Sequence, residues 1–188
     1  MGLNQILSAF SETAISVLGV YYKLQSFVFM PVFGLTHGLS PIMGYNYGAR
    51  SKSRMMAAFR IGCAIACGIM ALGTLLFWLA PTQLLSLFDE TGEMLAIGVP
   101  AFRTISLCFV PAAFGIIFST MFQAVGQGKY SLFISVLRQL AVILPAAWLF
   151  SKIGLRYVWF AFPLAEAAAL LVSLLLFSHF YRGHIRNL

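Results

Sequence analysis

One carboxyl group in this chain stands where charged groups are rare. Glu166 is the only acidic residue between positions 158 and 180, in a stretch that is otherwise almost entirely apolar. A carboxylate at the centre of a membrane helix costs about 3 kcal/mol on insertion scales, so a counter-charge, a proton or water must accompany it. Because acids at membrane depth commonly mark ion or substrate pathways, Glu166 is the first candidate for chemistry.

Arg138 is the cation best placed to pair with Glu166. At 1.5 Å per residue, Arg138 lies about 12 Å from the end of its apolar stretch, and Glu166 lies roughly 18 Å above the same surface. An arginine side chain can bridge that offset, so we expect the two side chains to meet between helices. Two interpretations stay open: Glu166 gains a proton or holds a cation during ion coupling, or the two residues form a permanent structural ion pair.

Three further polar side chains are candidates for a substrate cavity. Gln25 and Gln123 would be costly if they faced lipid, so they should point into the bundle or into a wet cavity, where they could contact a substrate. His37 stands on a glycine-rich face. It could bind a proton or a substrate, or it could form a hydrogen bond between helices.

The sequence contains no recognisable catalytic site. It has no Ser/His/Asp or Cys/His set at a plausible spacing, no nucleotide-binding loop and no paired carboxylates at one depth. Cys63, Cys67 and Cys108 all fall inside apolar stretches, which argues against a disulfide framework or a metal site. We therefore expect no enzyme, no catalytic residue, no bound metal and no cofactor, apart from a transported or coupling H⁺ or Na⁺.

The elements that must position these side chains follow from composition. Of 188 residues, 61% are hydrophobic and 9% are charged, far from the roughly one quarter charged of soluble domains. The apolar runs have the length of membrane helices, which predicts an all-α, polytopic transmembrane bundle. The net charge of +7 is spread between the apolar runs, which favours a role in membrane orientation over nucleic-acid binding.

The pattern predicts one transmembrane domain, 1–188, with five full helices and a partial one. The first apolar run is too short to cross a bilayer, so we interpret it as the end of a helix in a truncated protein. Pro31 and Pro41 predict a kink in the next helix, and Gly34 and Gly38 would allow a neighbouring backbone to approach closely. The predicted helices are 2–10 (partial), 14–47, 55–80, 94–126, 130–151 and 156–182.

Basic residues alternate between the two sides of the predicted bundle. Short loops rich in Lys and Arg stay in the cytoplasm, which predicts a cytoplasmic C-terminus and a multi-pass protein of the inner (plasma) membrane. The side predicted to be cytoplasmic carries Arg50, Lys52, Arg54, Lys129, Arg182 and Arg186. The opposite side carries Lys152 and Arg156, together with Glu12, Asp89, Glu90 and Glu93.

Several segments, in order along nearly the whole chain, resemble the multidrug and toxic compound extrusion (MATE) family. FVFMPVFGL at 27–35 and GYNYGAR at 44–50 resemble that family's eighth helix and the loop after it. FQAVGQGK at 122–129 is similar to the end of helix ten, and LRQ at 137–139 to part of helix eleven. PLAE at 163–166, which ends on Glu166, resembles helix twelve in the bacterial drug-efflux branch.

This resemblance implies a fold, an activity and partners. Family members are antiporters of twelve helices in two lobes, and they export lipophilic, cationic drugs in exchange for protons or sodium ions. The chain would be the C-terminal lobe, working in membrane lipid with the missing N-terminal lobe or a second chain. Many relatives carry a cation-binding acid in helix ten, but segment 104–125 has no Asp or Glu, which leaves Glu166 as the acid at membrane depth.

Two alternatives remain at this stage. A lipid-linked oligosaccharide flippase lobe should carry more cationic residues at membrane depth to hold phosphates, and the sequence offers only Arg138. A truncated, non-transporting membrane fragment or assembly subunit is the other alternative, and the short first segment favours it.

Overall fold

The computed structural model describes residues 2–88 and 92–185, and these residues form helices joined by short turns. Asp89, Glu90 and Arg186, which contribute to the predicted charge difference between the two sides, lie outside the described residues. The α-helices are α1 (Gly2–Ser8), α2 (Glu12–Gly48), α3 (Lys52–Leu79), α4 (Pro81–Ser86), α5 (Gly92–Ser106), α6 (Phe109–Ala124), α7 (Gly128–Val136), α8 (Leu144–Ser151), α9 (Leu155–Val158) and α10 (Ala161–Phe180). Leu137–Ile143 and Tyr181–Ile185 are π-helical.

The long helices have the dimensions of membrane spans. Within the described residues, Glu12–Gly48, Lys52–Leu79, Gly128–Ser151 and Leu155–Ile185 are each long and apolar enough to cross a bilayer. The α5 and α6 helices supply a fifth span if the pair is counted as one. The predicted all-α, polytopic class is confirmed.

The predicted helix 94–126 differs from the structure, because it is broken between α5 and α6 by a 45° bend. Pro111 lies in the first turn of α6, where it cannot donate a hydrogen bond to the carbonyl of Leu107. Two other carbonyls, near the end of α5, accept hydrogen bonds from side chains of α3. Trp78 Nε1 donates to Arg103 O at 3.0 Å, and Thr74 Oγ1 donates to Ser106 O at 3.2 Å.

Helix α2 continues without interruption through Pro31 and Pro41. Its end carries two overlapping turns that satisfy the last carbonyls, because Arg50 N donates to Tyr47 O at 3.1 Å and Ser51 N donates to Asn46 O at 2.8 Å. This geometry puts Arg50 in the left-handed region, at φ 53°.

Helix α6 ends in the same motif, with the residue best suited to it. Gly126 lies in the left-handed region at φ 76° and donates to Gln123 O at 3.0 Å, while Gln127 N donates to Phe122 O at 2.7 Å. The two helices end side by side, since a Cβ on Gly44 of α2 would lie 3.0 Å from Ala124 O of α6.

A π-helical segment, Leu137–Ile143, lies within the span Gly128–Ser151 and carries Arg138. Pro145 follows it and clashes with the carbonyl of Ala141 in a regular helix, so widening the preceding turns relieves the contact. Short π-helical segments often occur at functional sites.

Helix α6 is the centre of the bundle, and it packs against α2, α3, α7 and α10. The α2 and α3 helices approach each other closely where α3 has glycines: a Cβ on Gly62 would collide with Leu39, and one on Gly73 with Val28. Among the described residues nothing approaches Gly34 or Gly38 as the sequence predicted, because a Cβ on either would meet no atom within 4 Å.

Candidate functional site

The predicted contact between Arg138 and Glu166 is present. Nη1 of Arg138 lies 3.0 Å from Oε1 of Glu166, and the side chains are 31% and 13% exposed. The π-helical segment and α10 pack against each other, which brings the two residues to the same depth. Both charges are therefore largely removed from water, and one atom of each is satisfied by the other.

Two cavities meet at this ion pair, and the pair lines both of them. The first, which we call the aromatic cavity, has a volume of about 450 Å³, and six of its lining side chains are aromatic rings or a thioether. They come largely from α2 and include Tyr21, Tyr22, Phe29, Met30 and Phe33.

The second cavity, which we call the hydroxyl cavity, has a volume of about 250 Å³ and lies between α2, α6, α7 and α10. Its polar lining consists of short side chains that can hydrogen-bond with water or coordinate a cation: Thr36, Ser119, Thr120, Gln123, Ser131 and Ser135. Arg138 and Glu166 thus stand between a lining suited to apolar cations and one suited to water and small ions.

Three buried polar atoms around the pair are without a hydrogen-bond partner among the described residues. They are Nε of Arg138, Oε2 of Glu166 and the hydroxyl of Tyr21, and all three residues line the aromatic cavity. Buried polar groups are nearly always satisfied, by water if not by protein. The arrangement therefore offers a donor, an acceptor and a hydroxyl to water or to a bound group.

The predicted cavity residues separate into two groups. Gln25 lines the aromatic cavity, and Gln123 lines the hydroxyl cavity, where its Nε2 donates to Ser131 Oγ at 2.8 Å. His37 is exposed and lines neither cavity. It lies one turn beyond Phe33, which lines both cavities.

Sequence reasoning missed two contributors to the site. Tyr21 is fully buried, and its ring lies at 6.2 Å from Phe77 and 5.9 Å from Phe162 (centroid to centroid), which makes it part of the wall of the aromatic cavity. Ser131 is 6% exposed and accepts the Gln123 hydrogen bond. Both residues stand in apolar runs, and only their polar groups at membrane depth could have identified them.

Bundles of membrane helices with polar groups near the middle of the membrane occur in transporters that are built from repeats. The model of the MatE family matches residues 1–149, and the chain belongs to this family. The predicted recognition is confirmed, and the members of the family are transporters, not enzymes.

Curated relatives agree with this assignment. The chain is 23% identical over 175 residues to the multidrug export protein MepA of Staphylococcus saprophyticus, a match that covers 93% of this chain and 38% of the relative. It is 24% identical over 180 residues to MepA of Staphylococcus aureus, with the same shares covered. The chain therefore spans about two fifths of the length of the curated relatives that it matches.

Solved structures show the same fold. An inward-facing MATE family multidrug resistance transporter superposes with a TM-score of 0.89 at 23% identity, covering 99% of this chain and 44% of that one. An outward-facing transporter of the same family gives 0.90 at 24% identity, covering 100% and 43%. A transporter of the MOP superfamily from Pyrococcus furiosus gives 0.87 at 24% identity, covering 95% and 41%.

Proposed function

We propose that this chain is one lobe of a secondary antiporter that exports lipophilic organic cations, drugs among them, in exchange for protons or sodium ions. The observation that carries the proposal is the position of the Arg138–Glu166 pair between the aromatic and the hydroxyl cavity. One carboxylate is thereby accessible in principle to two kinds of cation.

The aromatic cavity suits the exported compound. Its volume of about 450 Å³ falls within the usual range for small-molecule sites. Faces of tyrosine and phenylalanine rings attract cations, and methionine adapts to ligands of different shape. Glu166 supplies a negative charge at the edge of this lining, so a lipophilic cation would be favoured over a neutral molecule of the same size.

The hydroxyl cavity suits the coupling ion. Its hydroxyl and amide side chains could carry water or a small cation towards Glu166. If a proton or a sodium ion neutralises this carboxylate, the attraction for an organic cation on the other side disappears, and Arg138 is released from the pair. Mutually exclusive occupancy of one carboxylate by drug and ion is the physical basis of exchange that we propose.

The lobe would move as a unit against a second lobe. It matches an inward-facing and an outward-facing relative equally well, at TM-scores of 0.89 and 0.90. This supports a lobe that moves as a rigid body and carries its site with it. The second lobe could be a further part of the same protein or another chain. We place the lobe in the plasma membrane with the end that carries Arg50 and Arg54 in the cytoplasm, because basic residues collect at that end.

The two alternatives are not favoured. The named relatives of this chain export drugs, which argues against a lipid-linked oligosaccharide flippase lobe. A buried ion pair is costly to maintain in a membrane, and its position between two cavities favours a transport role over a non-transporting fragment.

The test is a flux assay on the complete gene product in proteoliposomes. An imposed proton or sodium gradient should drive the movement of tetraphenylphosphonium, a lipophilic cation, and collapse of the gradient should abolish it. Uptake of the organic cation should in turn drive movement of the coupling ion in the opposite direction. Flux that does not respond to either gradient would refute the antiporter proposal.

We predict different effects for the two glutamines. Gln25→Leu removes a cavity amide that makes no hydrogen bond to other described residues and is therefore available to a substrate. The KM for the organic cation should rise about fivefold, while stability stays unchanged. Gln123→Leu deprives buried Ser131 of its donor, so the protein should lose about 1 kcal/mol of stability. The measurements are transport kinetics and thermal denaturation in detergent. A KM that rises in Gln123→Leu but not in Gln25→Leu would contradict the assignment of the two cavities.

A further inference from the structure

A third cavity, far from the ion pair along α10, has a lining of a different kind. It has a volume of about 710 Å³ and lies between the start of α3 and the end of α10. Its lining is Lys52, Ser53, Met56, Ala57, Arg60, Phe177 and Tyr181, without an acidic side chain among them. Phe177 is eleven residues from Glu166, or about 16 Å along the helix, so this groove is separate from the proposed transport site.

The floor of the groove is aromatic because of how the helices pack. Helices α3 and α10 both pack on α6, and this leaves a gap between them. The ring of Phe59 from α3 stacks on Phe177 from α10, with centroids 5.4 Å apart and planes 9° apart. Phe118 from α6 lies against both rings, at 5.1 Å and 5.2 Å. The gap is thus closed from behind and open to the outside.

Both cations that line the groove come from α3. Lys52 lies at the start of α3, and its Nζ is 5.2 Å from the centroid of the Tyr181 ring. Arg60 lies two turns further along, about 12 Å deeper. Because helical side chains lean towards the N-terminus and arginines snorkel to the interface, the guanidinium can reach back towards Lys52. Ser53 adds a hydroxyl donor at the same level.

We propose that this groove binds an anionic phospholipid of the surrounding bilayer. The phosphate would lie between Lys52, Ser53 and Arg60, and an acyl chain would run along Met56, Ala57 and Phe177 towards the membrane centre. Basic pockets between membrane helices recognise lipid headgroups in this way. An inorganic phosphate would use the cations alone, whereas a phospholipid also covers the apolar wall.

The test uses the full chain purified in detergent, with native mass spectrometry as the readout of bound lipid. The probes are phosphatidylglycerol, phosphatidylcholine and inorganic phosphate. Phosphatidylglycerol should bind, and phosphatidylcholine should bind much more weakly. Inorganic phosphate should bind more weakly than phosphatidylglycerol and should not change thermal stability. Each cation near an anionic headgroup contributes about fivefold, so Lys52→Gln with Arg60→Gln should weaken phosphatidylglycerol binding about 25-fold.

Arg54→Gln is the matched control, because Arg54 lies in the same turn of α3 as Lys52 but does not line the groove. It should change phosphatidylglycerol affinity less than twofold. An equal loss in Arg54→Gln, equal binding of phosphatidylcholine, or no loss in the double variant would overturn the proposal. If the double variant does not fold, Ala57→Trp keeps both cations and fills the groove. It should abolish lipid binding, and unchanged binding in it would likewise overturn the proposal.

Discussion

In the complete gene product, Glu166→Gln is expected to reduce gradient-driven export of an organic cation about tenfold or more. Coupling free energies of about 1–3 kcal/mol correspond to factors of this size. Glutamine keeps the shape of the side chain but can neither bind a proton nor carry a negative charge. The flux that remains should no longer depend on the proton or sodium gradient. Proteoliposome flux at several imposed gradients measures both effects.

The same substitution should lower stability, because it leaves the guanidinium of Arg138 without its counter-charge. Breaking a fully buried pair costs about 3–5 kcal/mol, and the 31% exposure of Arg138 reduces the expected loss to about 2 kcal/mol. Adding Arg138→Gln removes the second charge, so the double variant should regain most of this stability. Thermal denaturation in detergent of the unmodified protein, of Glu166→Gln, of Arg138→Gln and of the double variant completes this double-mutant cycle.

This cycle separates the coupling role from the structural one. If Glu166 is the coupling group, the double variant is stable and its flux still does not respond to the proton or sodium gradient. If the pair is only structural, the double variant recovers transport together with stability, and the coupling role is refuted. Glu12→Gln is the control, because Glu12 is an exposed acid at the start of α2 and should change neither quantity.

The largest stability loss from a single apolar substitution is expected at Gly73→Leu. Gly73 is buried in α3 against α2, where even a Cβ would collide with Val28 and would lie 3.4 Å from Phe109. Val28 is β-branched and has little rotamer freedom in a helix, so it cannot move aside. The two helices must separate, at a cost of about 3 kcal/mol, which denaturation in detergent would measure.

Two glycines of the same helix serve as comparisons. Gly68 is exposed and has nothing within 4 Å of its ideal Cβ, so Gly68→Leu should leave stability unchanged or improve it slightly. Gly62→Ala meets only the end of the Leu39 side chain, which can rotate, so its effect should lie in between. Equal losses at Gly68 and Gly73 would show that the α2–α3 contact is not what limits stability.

The Arg138–Glu166 contact could be predicted from the sequence because charges at membrane depth are few. Each needs a partner, and counting residues from the ends of two consecutive apolar runs left one pair at compatible depths. The two cavities next to the pair could not be predicted. The two cavities depend on side chains from α2, α6 and α10 that are far apart in the sequence.

The break between α5 and α6 shows a different limit. Pro31 and Pro41 lie inside an uninterrupted helix, whereas Pro111 follows a 45° bend, so the residue type alone does not distinguish them. The difference depends on Thr74 and Trp78, which donate to the carbonyls at the end of α5 from another helix. Such donors can be recognised only after the helices are packed.

Glycine spacing in the sequence was misleading for a similar reason. Gly34 and Gly38 have the spacing of a helix-packing motif, but their face of α2 is uncovered. The glycines that α2 contacts are Gly62 and Gly73, eleven residues apart and therefore on one face of α3, since eleven residues are close to three turns. Sequence spacing identifies faces, and only the tertiary arrangement shows which face has a neighbour.

The ion pair also has a consequence for biogenesis. Arg138 and Glu166 lie on consecutive spans joined by a short connection, so the two segments can enter the bilayer together as a helical hairpin. Each would otherwise carry an uncompensated charge through the insertion machinery. Neutralisation within the hairpin lets a nascent chain of this composition complete these two passes without waiting for any other subunit.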